Sequence, residues 1–350
     1  MMKASVFQKE LQRKKIDAAL FFSFGLQPDP NVMYFSGYDG SGVLVVPKKG
    51  DLFIIVPRME YEKRIGVKKY VAENLFDKLR GLLGKNVRRI GVDYNKIQVS
   101  LLSRLKKELK ASFKDISKVV AEQRLVKGKE EIEKIKKACS VTDAVFAKLV
   151  KNFRFRTEMD VLCFIGKEIK KNGCDLAFEP IIASGKNSSL PHYKTSDKKL
   201  GKGFCVIDFG ARYKGYCSDM SRTLYLGKPS RKDIVLYEKL RRIQEKIIEM
   251  ARTRVKCSEL DLFARKWIGN KYFIHGLGHG IGVEVHEMPK INNKSKERLK
   301  EGVVFTIEPG MYVKNKFGIR IEDTVLMTKE KAVSLTKSTK KLIIKENFIN

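Results

Sequence analysis

The sequence predicts two domains, an α/β domain over residues 1–123 and an α+β domain with an internal repeat over residues 124–350. The chain of 350 residues is too long for one small core, so two domains are expected. The first third alternates short β-rich runs with helical spacing. After residue 128, the order helix, helix, paired strands occurs twice, with corresponding points about 100 residues apart.

The amino-terminal domain contains three short β-rich runs and a helix. The runs cover residues 18–22, 42–46 and 52–56, and residues 47–50 form a turn between the last two. This spacing predicts a hairpin or two adjacent strands. Residues 99–110 have helical spacing. The domain shows no catalytic cluster of its own.

The first copy of the repeat begins after Gly128, where apolar residues at helical spacing predict a long helix. Thr157 and Asp160 form a capping-box pattern that opens a second helix, and Asn172-Gly173 closes it. A polar loop follows. Residues 204–213 and 216–226 then predict a pair of strands.

The second copy repeats this order. A helix is predicted after Ser230, and the Ser258-Glu-Leu-Asp261 pattern predicts the cap of another helix. A glycine-rich segment containing histidines follows, and residues 303–313 and 319–327 predict strands. The repetition indicates a duplicated helix-helix-hairpin unit.

Histidine is scarce and unevenly placed, with four residues in the whole chain, namely His192, His275, His279 and His286. Isolated histidines are usually core residues, but here three fall within twelve residues. A helix carrying His275 and His279 is disfavoured because glycine occupies positions 276, 278, 280 and 282. The clustering indicates one site of chemistry.

The first predicted hairpin places two aspartates together. A two-residue loop at Lys214-Gly215 makes Asp208 face Ser221, so that Asp219 becomes the diagonal neighbour of Asp208 on the same face. Diagonal neighbours lie roughly 7 Å apart, close enough for both carboxylates to bind one cation. Without a cation the two charges would repel each other.

The second predicted hairpin repeats this arrangement. If residue 313 faces residue 319, Glu308 faces Thr324 and Glu322 is its diagonal neighbour, with Arg320 on the same face. Four carboxylates and His279 then provide five ligands for two divalent ions. Each residue alone could equally be a turn, cap or surface ion-pair residue. Their joint occurrence at matched positions of both copies favours a dinuclear metal site.

Composition limits the other classes of function. No run approaches the 18 or so apolar residues of a membrane span, and the first residues lack a secretory signal pattern, so we expect a cytoplasmic protein. The six cysteines have no metal-binding spacing, which predicts free, mostly buried thiols. The net charge of +32 is spread evenly, +11 on residues 1–123 and +21 on the remainder. A general lysine bias explains this better than a dedicated nucleic-acid surface.

The motifs resemble the pita-bread metallopeptidases, and within them most closely Xaa-Pro dipeptidases (prolidases) and aminopeptidase P. The resemblance rests on four segments: Asp208-Phe-Gly with Ser218-Asp-Met-Ser-Arg-Thr, His275-Gly-Leu-Gly-His-Gly-Ile-Gly with His286-Glu, Thr306-Ile-Glu-Pro-Gly-Met, and Arg320-Ile-Glu-Asp. It implies a creatinase-type domain over residues 1–123 and a pita-bread catalytic domain with a pseudo-twofold repeat over residues 124–350. Ser221 departs from the threonine common in relatives.

The resemblance also implies a role for each site residue. Asp208 would be a terminal metal ligand, and Asp219 and Glu322 would bridge both ions. His279 and Glu308 would complete the second metal site. The remaining site residues would contact the substrate, stabilise the tetrahedral intermediate or support the ligands: His192, His275, His286 and Arg320. Glu308 would also shuttle a proton.

The implied activity is hydrolysis of Xaa-Pro peptide bonds by attack of a metal-bridging hydroxide on the scissile carbonyl. The implied cofactors are two divalent ions, Mn²⁺ or Co²⁺, with Zn²⁺ or Fe²⁺ as alternatives, and a homodimer is expected. We expect an Xaa-Pro dipeptidase (prolidase), with an Xaa-Pro aminopeptidase that acts on longer peptides as the alternative, because the shared residues do not separate the two. A less favoured alternative is an RNA- or ribosome-binding protein on the same fold. If the protein is a peptidase, we expect any contact with nucleic acid to be nonspecific.

Overall fold

The structure is a computed structural model that describes residues 2–24, 28–60, 62, 66–84 and 86–346. Contacts between Cα atoms divide the chain into two units, Met1–Arg124 and Leu125–Asn350. Every residue proposed for the site lies in the second unit.

The described part of the first unit contains a mixed sheet with helices. Its helices are α1 (Met2–Arg13), α2 (Pro30–Ser36), α3 (Leu75–Leu83), α4 (Val99–Glu108) and α5 (Ser117–Leu125). Its strands are β1 (Ala18–Ser23), β2 (Gly42–Pro47), β3 (Phe53–Pro57), β4 (Lys68–Ala72), β5 (Arg89–Val92) and β6 (Ser112–Asp115). The sheet order is β4-β3-β2-β1-β5-β6.

The sequence patterns of this unit are confirmed. The three β-rich runs form β1, β2 and β3, and β2 pairs with β3 as an antiparallel hairpin. Strand β2 is buried on both faces: Leu44 and Val46 belong to one hydrophobic cluster, and Val43 and Val45 belong to another. Because successive side chains of a strand point to opposite faces, a continuous apolar run marks a strand covered on both sides.

The second unit contains four long helices and four sheets. The helices are α6 (Lys129–Lys151), α7 (Glu158–Lys171), α8 (Arg231–Met250) and α9 (Cys257–Ile268). The strands that precede α8 are β7 (Asp175–Leu176), β8 (Ile181–Ser184), β9 (Gly203–Phe209), β10 (Ala211–Tyr213), β11 (Tyr216–Cys217) and β12 (Met220–Leu226). Those that follow α9 are β13 (Gly278–Gly280), β14 (Glu287–Ile291), β15 (Val304–Ile307), β16 (Gly310–Val313), β17 (Phe317–Arg320), β18 (Asp323–Met327), β19 (Ala332–Ser334) and β20 (Ile343–Lys345).

The duplicated order of two helices followed by paired strands is present. In the first copy α6 and α7 precede the antiparallel pair β9 and β12, and in the second α8 and α9 precede β15 and β18. One buried cluster packs α6 and α7 against β9 and β12, and another packs α8 and α9 against β15 and β18. Each of the four predicted long strands is divided into two shorter strands, because one or two residues in its middle lie outside the regular β-sheet pairing. The sheet orders are β20-β12-β9-β8, β11-β10-β7, β14-β13-β15-β18-β19 and β16-β17.

Helix starts were predicted at Thr157, after Ser230 and at Ser258, and the first two are confirmed. Thr157 and Asp160 form a reciprocal capping box at α7, and the Ser230 hydroxyl caps α8. The predicted cap at Ser258 is wrong, because α9 begins at Cys257 and Ser258 lies inside its first turn. Asp261 does not close a capping box; its Oδ1 accepts a hydrogen bond from the Leu277 N–H at 3.1 Å. The Asp261 carboxylate, which the sequence pattern assigned to a local helix cap, thus makes a tertiary hydrogen bond instead.

The predicted register of the first hairpin is confirmed, with Tyr213 opposite Tyr216 and Asp208 opposite Ser221. The predicted register of the second hairpin is wrong by two residues, because Val313 pairs with Phe317 rather than with Ile319. A three-residue loop closes this hairpin, and its central residue Asn315 has a φ of 57°. A shift of two residues preserves the face of a strand.

Two further expectations concern the whole described chain. The six cysteines are free and all are buried except Cys163, which confirms the prediction of mostly buried thiols. Within the residues described above, none of the helices has both the length and the apolar character needed to cross a membrane.

Candidate active site

Four carboxylates lie at the interruptions of the paired strands. Asp208 is near the end of β9 and Asp219 immediately precedes β12, while Glu308 follows β15 and Glu322 immediately precedes β18. Backbone hydrogen bonds join the two copies here, since the Glu322 N–H donates to the Ser221 carbonyl at 3.1 Å. Asp208, Asp219 and Glu322 are buried, and Glu308 is partly buried. The duplication therefore brings four acids together from distant parts of the chain.

His279 presents an acceptor nitrogen to this group. Its Nδ1 lies 3.1 Å from the Gly280 carbonyl, which can only accept, so Nδ1 carries the hydrogen of the neutral ring. Burial, and then the neighbouring His286, lower the pKa of His279 to about 4, which keeps the ring neutral at pH 7. Its Nε2 therefore has a free lone pair, at 3.7 Å from Asp219 Oδ2 and 3.4 Å from Glu308 Oε1.

This donor set matches the requirements of a divalent cation. Ligand atoms of Asp219, His279 and Glu322 all lie within 4.8 Å of one another. One buried oxygen of each of Asp208, Asp219 and Glu322 has no hydrogen-bond partner. Buried polar atoms almost always have a partner, so three orphaned carboxylate oxygens beside a lone-pair nitrogen need a positive charge among them. These residues fit a carboxylate-rich metal site with one imidazole ligand.

The carboxylates strongly perturb each other. Burial, and then the charges of Glu322 and Asp208, raise the pKa of Asp219 well above its usual value. Burial, and then Glu308 and Asp208, do the same to Glu322. Burial raises the pKa of Glu308 to about 8. The positively charged side chains of the protein are therefore too few to keep all of these carboxylates ionised when no metal is bound.

Arg320 places a positively charged guanidinium group against these carboxylates. Its guanidinium donates to Asp208 Oδ2 at 2.5 Å and, through Nε, to the Ser221 hydroxyl at 2.8 Å. The Ser221 hydroxyl in turn donates to Glu322 Oε2 at 2.7 Å. Although burial opposes the charge, Tyr312 and Asp208 raise the pKa of Arg320 well above its usual value. Arg320 thus orients one oxygen of Asp208 directly and one oxygen of Glu322 through a hydroxyl.

Tyr312 links this network to His275. The Arg320 Nη1 donates to the Tyr312 hydroxyl at 2.9 Å, and that hydroxyl lies 3.1 Å from His275 Nε2. The His275 Nδ1 is 2.8 Å from the Gly276 carbonyl and so carries the hydrogen, which makes Tyr312 the donor to Nε2. Burial, and then Arg320, lower the pKa of His275 to about 4. His275 is therefore held as a neutral ring of defined tautomer.

The other two histidines flank the same cluster. The ring of His286 lies 4.3 Å from that of His279, centroid to centroid, at 62°. His192 is near enough for its charge to contribute to lowering the pKa values of His275 and His286, after burial in each case. His192 and His286 are both exposed. All residues that the sequence singled out are thus brought together, with His192 and His286 on the solvent side.

Close backbone packing explains the glycines around His279. A Cβ at Gly278 would lie 2.1 Å from the Thr306 carbonyl oxygen, and one at Gly280 would lie 1.9 Å from the Met288 carbonyl oxygen. Strand β13 therefore fits between its neighbours only with glycine on both sides of the histidine. The Thr306 hydroxyl accepts the His279 N–H at 3.1 Å, which fixes this part of the strand.

Sequence reasoning did not identify Tyr312, although a signal for it existed. Positions 308, 310 and 312 share one face of a strand, so the tyrosine follows the face of Glu308. A Cβ at Gly310 would lie 2.6 Å from the Tyr312 hydroxyl, and therefore glycine at this position leaves room for the ring. The alternation of side chains along this strand therefore predicts that the phenol of Tyr312 lies on the same side as the carboxylate of Glu308. The sequence placed Ser221 opposite Asp208 but did not predict its hydrogen bonds to Arg320 and Glu322.

Comparison with known proteins agrees with this geometry. The profile of metallopeptidase family M24 matches residues 133–329, and that of the creatinase/prolidase N-terminal domain matches residues 5–126. An Xaa-Pro dipeptidase of Pyrococcus furiosus is 40% identical over 326 residues, covering 89% of this chain and 92% of that protein. An Xaa-Pro dipeptidase of Pyrococcus horikoshii is 36% identical over 349 residues, covering 95% and 96%.

Solved structures show the same two-domain fold. The prolidase from Pyrococcus horikoshii superimposes with a TM-score of 0.90 at 33% identity, covering 98% of this chain and 100% of that one. An X-Pro aminopeptidase from Thermotoga maritima has a TM-score of 0.90 at 31% identity, covering 97% and 99%. The chain is a peptidase with a creatinase-type amino-terminal domain and a pita-bread catalytic domain, and it belongs to metallopeptidase family M24.

Proposed function

We propose that this protein is an Xaa-Pro dipeptidase that depends on two divalent metal ions. The observation that carries the proposal is the cluster of Asp219, His279 and Glu322, whose ligand atoms lie within 4.8 Å of one another beside orphaned carboxylate oxygens. The similarity to two Xaa-Pro dipeptidases over most of the chain supports the choice of substrate.

We propose the following metal ligands, which would hold the two ions: Asp208, Asp219, His279, Glu308 and Glu322. Asp219 and Glu322 belong with His279 to the group whose ligand atoms lie within 4.8 Å of one another, so both carboxylates would help to hold the ions. The divalent ions, when bound, would provide Lewis-acid polarisation of the scissile carbonyl and activate a water as the nucleophile.

The remaining residues act on the substrate and on protons. Glu308, whose Oε1 lies 3.4 Å from His279 Nε2 at the edge of the cluster, would transfer a proton to the leaving imino nitrogen. His192, His275 and His286 face the substrate and the developing oxyanion. Arg320 keeps Asp208 and Glu322 oriented through the hydrogen bonds described above.

One assay tests the proposed activity. Purified protein, depleted of metal and then supplied with Mn²⁺ or Co²⁺, should hydrolyse an Xaa-Pro dipeptide, and the same dipeptide with alanine in place of proline should be a poor substrate. Metal analysis of the same samples should give close to two ions per chain. Failure to bind any divalent ion, or equal hydrolysis of both dipeptides, would reject the proposal.

A second candidate activity is Xaa-Pro aminopeptidase action on longer peptides. It is favoured by the similarity to the X-Pro aminopeptidase of Thermotoga maritima. Comparing an Xaa-Pro dipeptide with the Xaa-Pro-Yaa tripeptide under identical conditions distinguishes the two. A dipeptidase should strongly prefer the dipeptide, whereas an aminopeptidase should prefer the tripeptide.

Four further properties complete the proposal. We propose Mn²⁺ or Co²⁺ rather than Zn²⁺ or Fe²⁺ as the activating ions, which reconstitution with each metal tests. We propose a homodimer, which sedimentation tests, and a boundary near residue 123 between the two domains, which limited proteolysis tests. The net charge of +32 should give only nonspecific nucleic-acid binding, and modest salt should abolish it.

A further inference from the structure

A buried carboxylate outside the metal cluster lies beneath the segment that carries His192. Glu158 is the first residue of α7, and its side chain is fully buried. The partial positive charge of a helix amino terminus stabilises an acid at this position. The helix does not need Glu158 as a cap, because Thr157 and Asp160 already cap each other.

The hydrogen bonds of Glu158 instead go to the residues that lead toward His192. Its Oε1 accepts the Ser184 N–H at 2.9 Å, the Ser184 hydroxyl at 2.8 Å and the Asn187 side-chain amide at 3.0 Å. Its Oε2 is buried and has no hydrogen-bond partner. Ser184 ends β8, and Asn187 lies in the short 3₁₀ helix Gly185–Ser189 that follows.

These contacts continue to the residue beside His192. The Asn187 amide also donates to the Tyr193 hydroxyl at 3.1 Å. On the opposite side, the Gly318 N–H donates to the Ser188 hydroxyl at 2.8 Å, and Arg320 Nη1 donates to the Pro191 carbonyl at 3.1 Å. The segment between residues 184 and 193 is therefore anchored to Glu158 on one side and to the second hairpin on the other.

We propose that Glu158 is a positioning residue that fixes His192 for contact with the substrate. The inference rests on the proposed function, because it assigns Glu158 to the binding of the peptide and not to the metal. Three hydrogen bonds converge on one buried carboxylate oxygen of Glu158 and hold the segment in place. Loosening His192 by about 1 Å should cost up to 100-fold in kcat/KM.

The test compares Glu158→Ala with two matched variants. Glu158→Ala should lower kcat/KM by about 10- to 100-fold while metal content stays as in the wild type. Glu158→Gln, which keeps an acceptor oxygen, should recover most of that loss. Glu259 is an exposed acid in the first turn of α9, the helix of the second copy, so Glu259→Ala should have no effect.

A double-mutant cycle separates positioning from a general loss of structure. In a His192→Ala background, Glu158→Ala should cost less than about two-fold more, because the residue that it positions is absent. An undiminished loss in that background would overturn the proposal. If Glu158→Ala does not fold, Asn187→Ala breaks the link to Tyr193 and should show the same dependence on His192.

A measurement without turnover keeps this inference distinct from the proposed function. The chain has only four histidines, so ring signals of a histidine-labelled sample can be assigned by single substitutions. Glu158→Ala should shift or broaden the His192 signal and leave that of His279 unchanged. Absence of Xaa-Pro hydrolysis in the wild type would reject the proposed function, whereas an unchanged His192 signal would reject the role of Glu158.

Discussion

Replacing a single bridging acid should have opposite effects on the protein with and without metal. Asp219→Asn keeps the shape of the side chain and removes one negative charge from a buried cluster. In the metal-free protein this charge is repelled by Glu322, and burial adds to the cost, as the raised pKa of Asp219 indicates. In the metal-loaded protein the same charge would bind the cations.

The magnitude follows from the separation of the ligand atoms. The ligand atoms of Asp219 and Glu322 lie within 4.8 Å of each other, and two unit charges 4.8 Å apart repel by about 3.5 kcal/mol at an effective dielectric constant of 20. Because each kcal/mol shifts the melting temperature of a domain this size by about 2–4 °C, removing a repulsion of this size raises it by about 7–14 °C. Partial protonation of the acids in the wild type reduces that gain. Metal at 1,000 times its Kd stabilises the wild type by about 4 kcal/mol, or about 8–16 °C.

Thermal melts at pH 7 with excess EDTA or with excess Mn²⁺ measure both effects. Metal-free Asp219→Asn should melt at or above the temperature of the metal-free wild type, and Mn²⁺ should stabilise the wild type far more than the variant. Asp51→Asn removes the same charge from an exposed position of the first unit and serves as the control. It should respond to Mn²⁺ as the wild type does.

Two results would refute this reasoning. If metal-free Asp219→Asn melts several degrees below the wild type, the cluster is not repulsive and Asp219 stabilises the fold by itself. If Mn²⁺ stabilises both proteins equally, Asp219 is not a ligand. Activity gives an independent readout, since Asp219→Asn should fold yet lose nearly all hydrolysis of an Xaa-Pro dipeptide.

Three further predictions concern the surroundings of the cluster. The folded metal-free protein retains a proton on Glu308 up to about pH 8, whereas the lowered pKa values of His275 and His279 act in the opposite direction only below about pH 6.5, so its melting temperature should fall as pH rises from about 6.5 to about 8, and a flat or rising profile over that range in EDTA would contradict this. Ser221→Ala removes the donor to Glu322 and should weaken metal affinity about 10- to 100-fold in a calorimetric titration, whereas Ser221→Thr, which keeps the hydroxyl, should bind nearly as the wild type. Asp323→Asn breaks the buried pair with Arg222 and should destabilise the protein by about 3–5 kcal/mol; a loss below 1 kcal/mol in denaturant melts would show that the pair is dispensable.

Local patterns predicted most elements of the fold. Thr157 and Asp160 act on adjacent backbone N–H groups, so the start of α7 follows from the sequence alone. The same reasoning failed at Ser258, because Asp261 is taken by the Leu277 N–H from a distant segment. Local propensity holds where no tertiary partner competes for the same side chain.

Register shows a second kind of limit. The two-residue turn at Lys214-Gly215 placed Asp208 opposite Ser221 correctly. The loop of the second hairpin has three residues, and nothing in the hydrophobic alternation distinguishes that register from one shifted by two, because both keep the same faces. The sequence could therefore predict that Glu308 and Glu322 lie on the same face of the hairpin, but not which residue is directly opposite Glu308.

By itself, the sequence determined the two-domain organisation, the duplicated unit and the identity of the four acids and His279 as a candidate metal set, because these depend on residue type, spacing and face. Only the tertiary structure decided which nitrogen of His279 is available, that Tyr312 contacts His275 and that Glu158 contacts Asn187. It also decided how Arg320 reaches Asp208, 112 positions away, because that contact forms only when the two copies pack together.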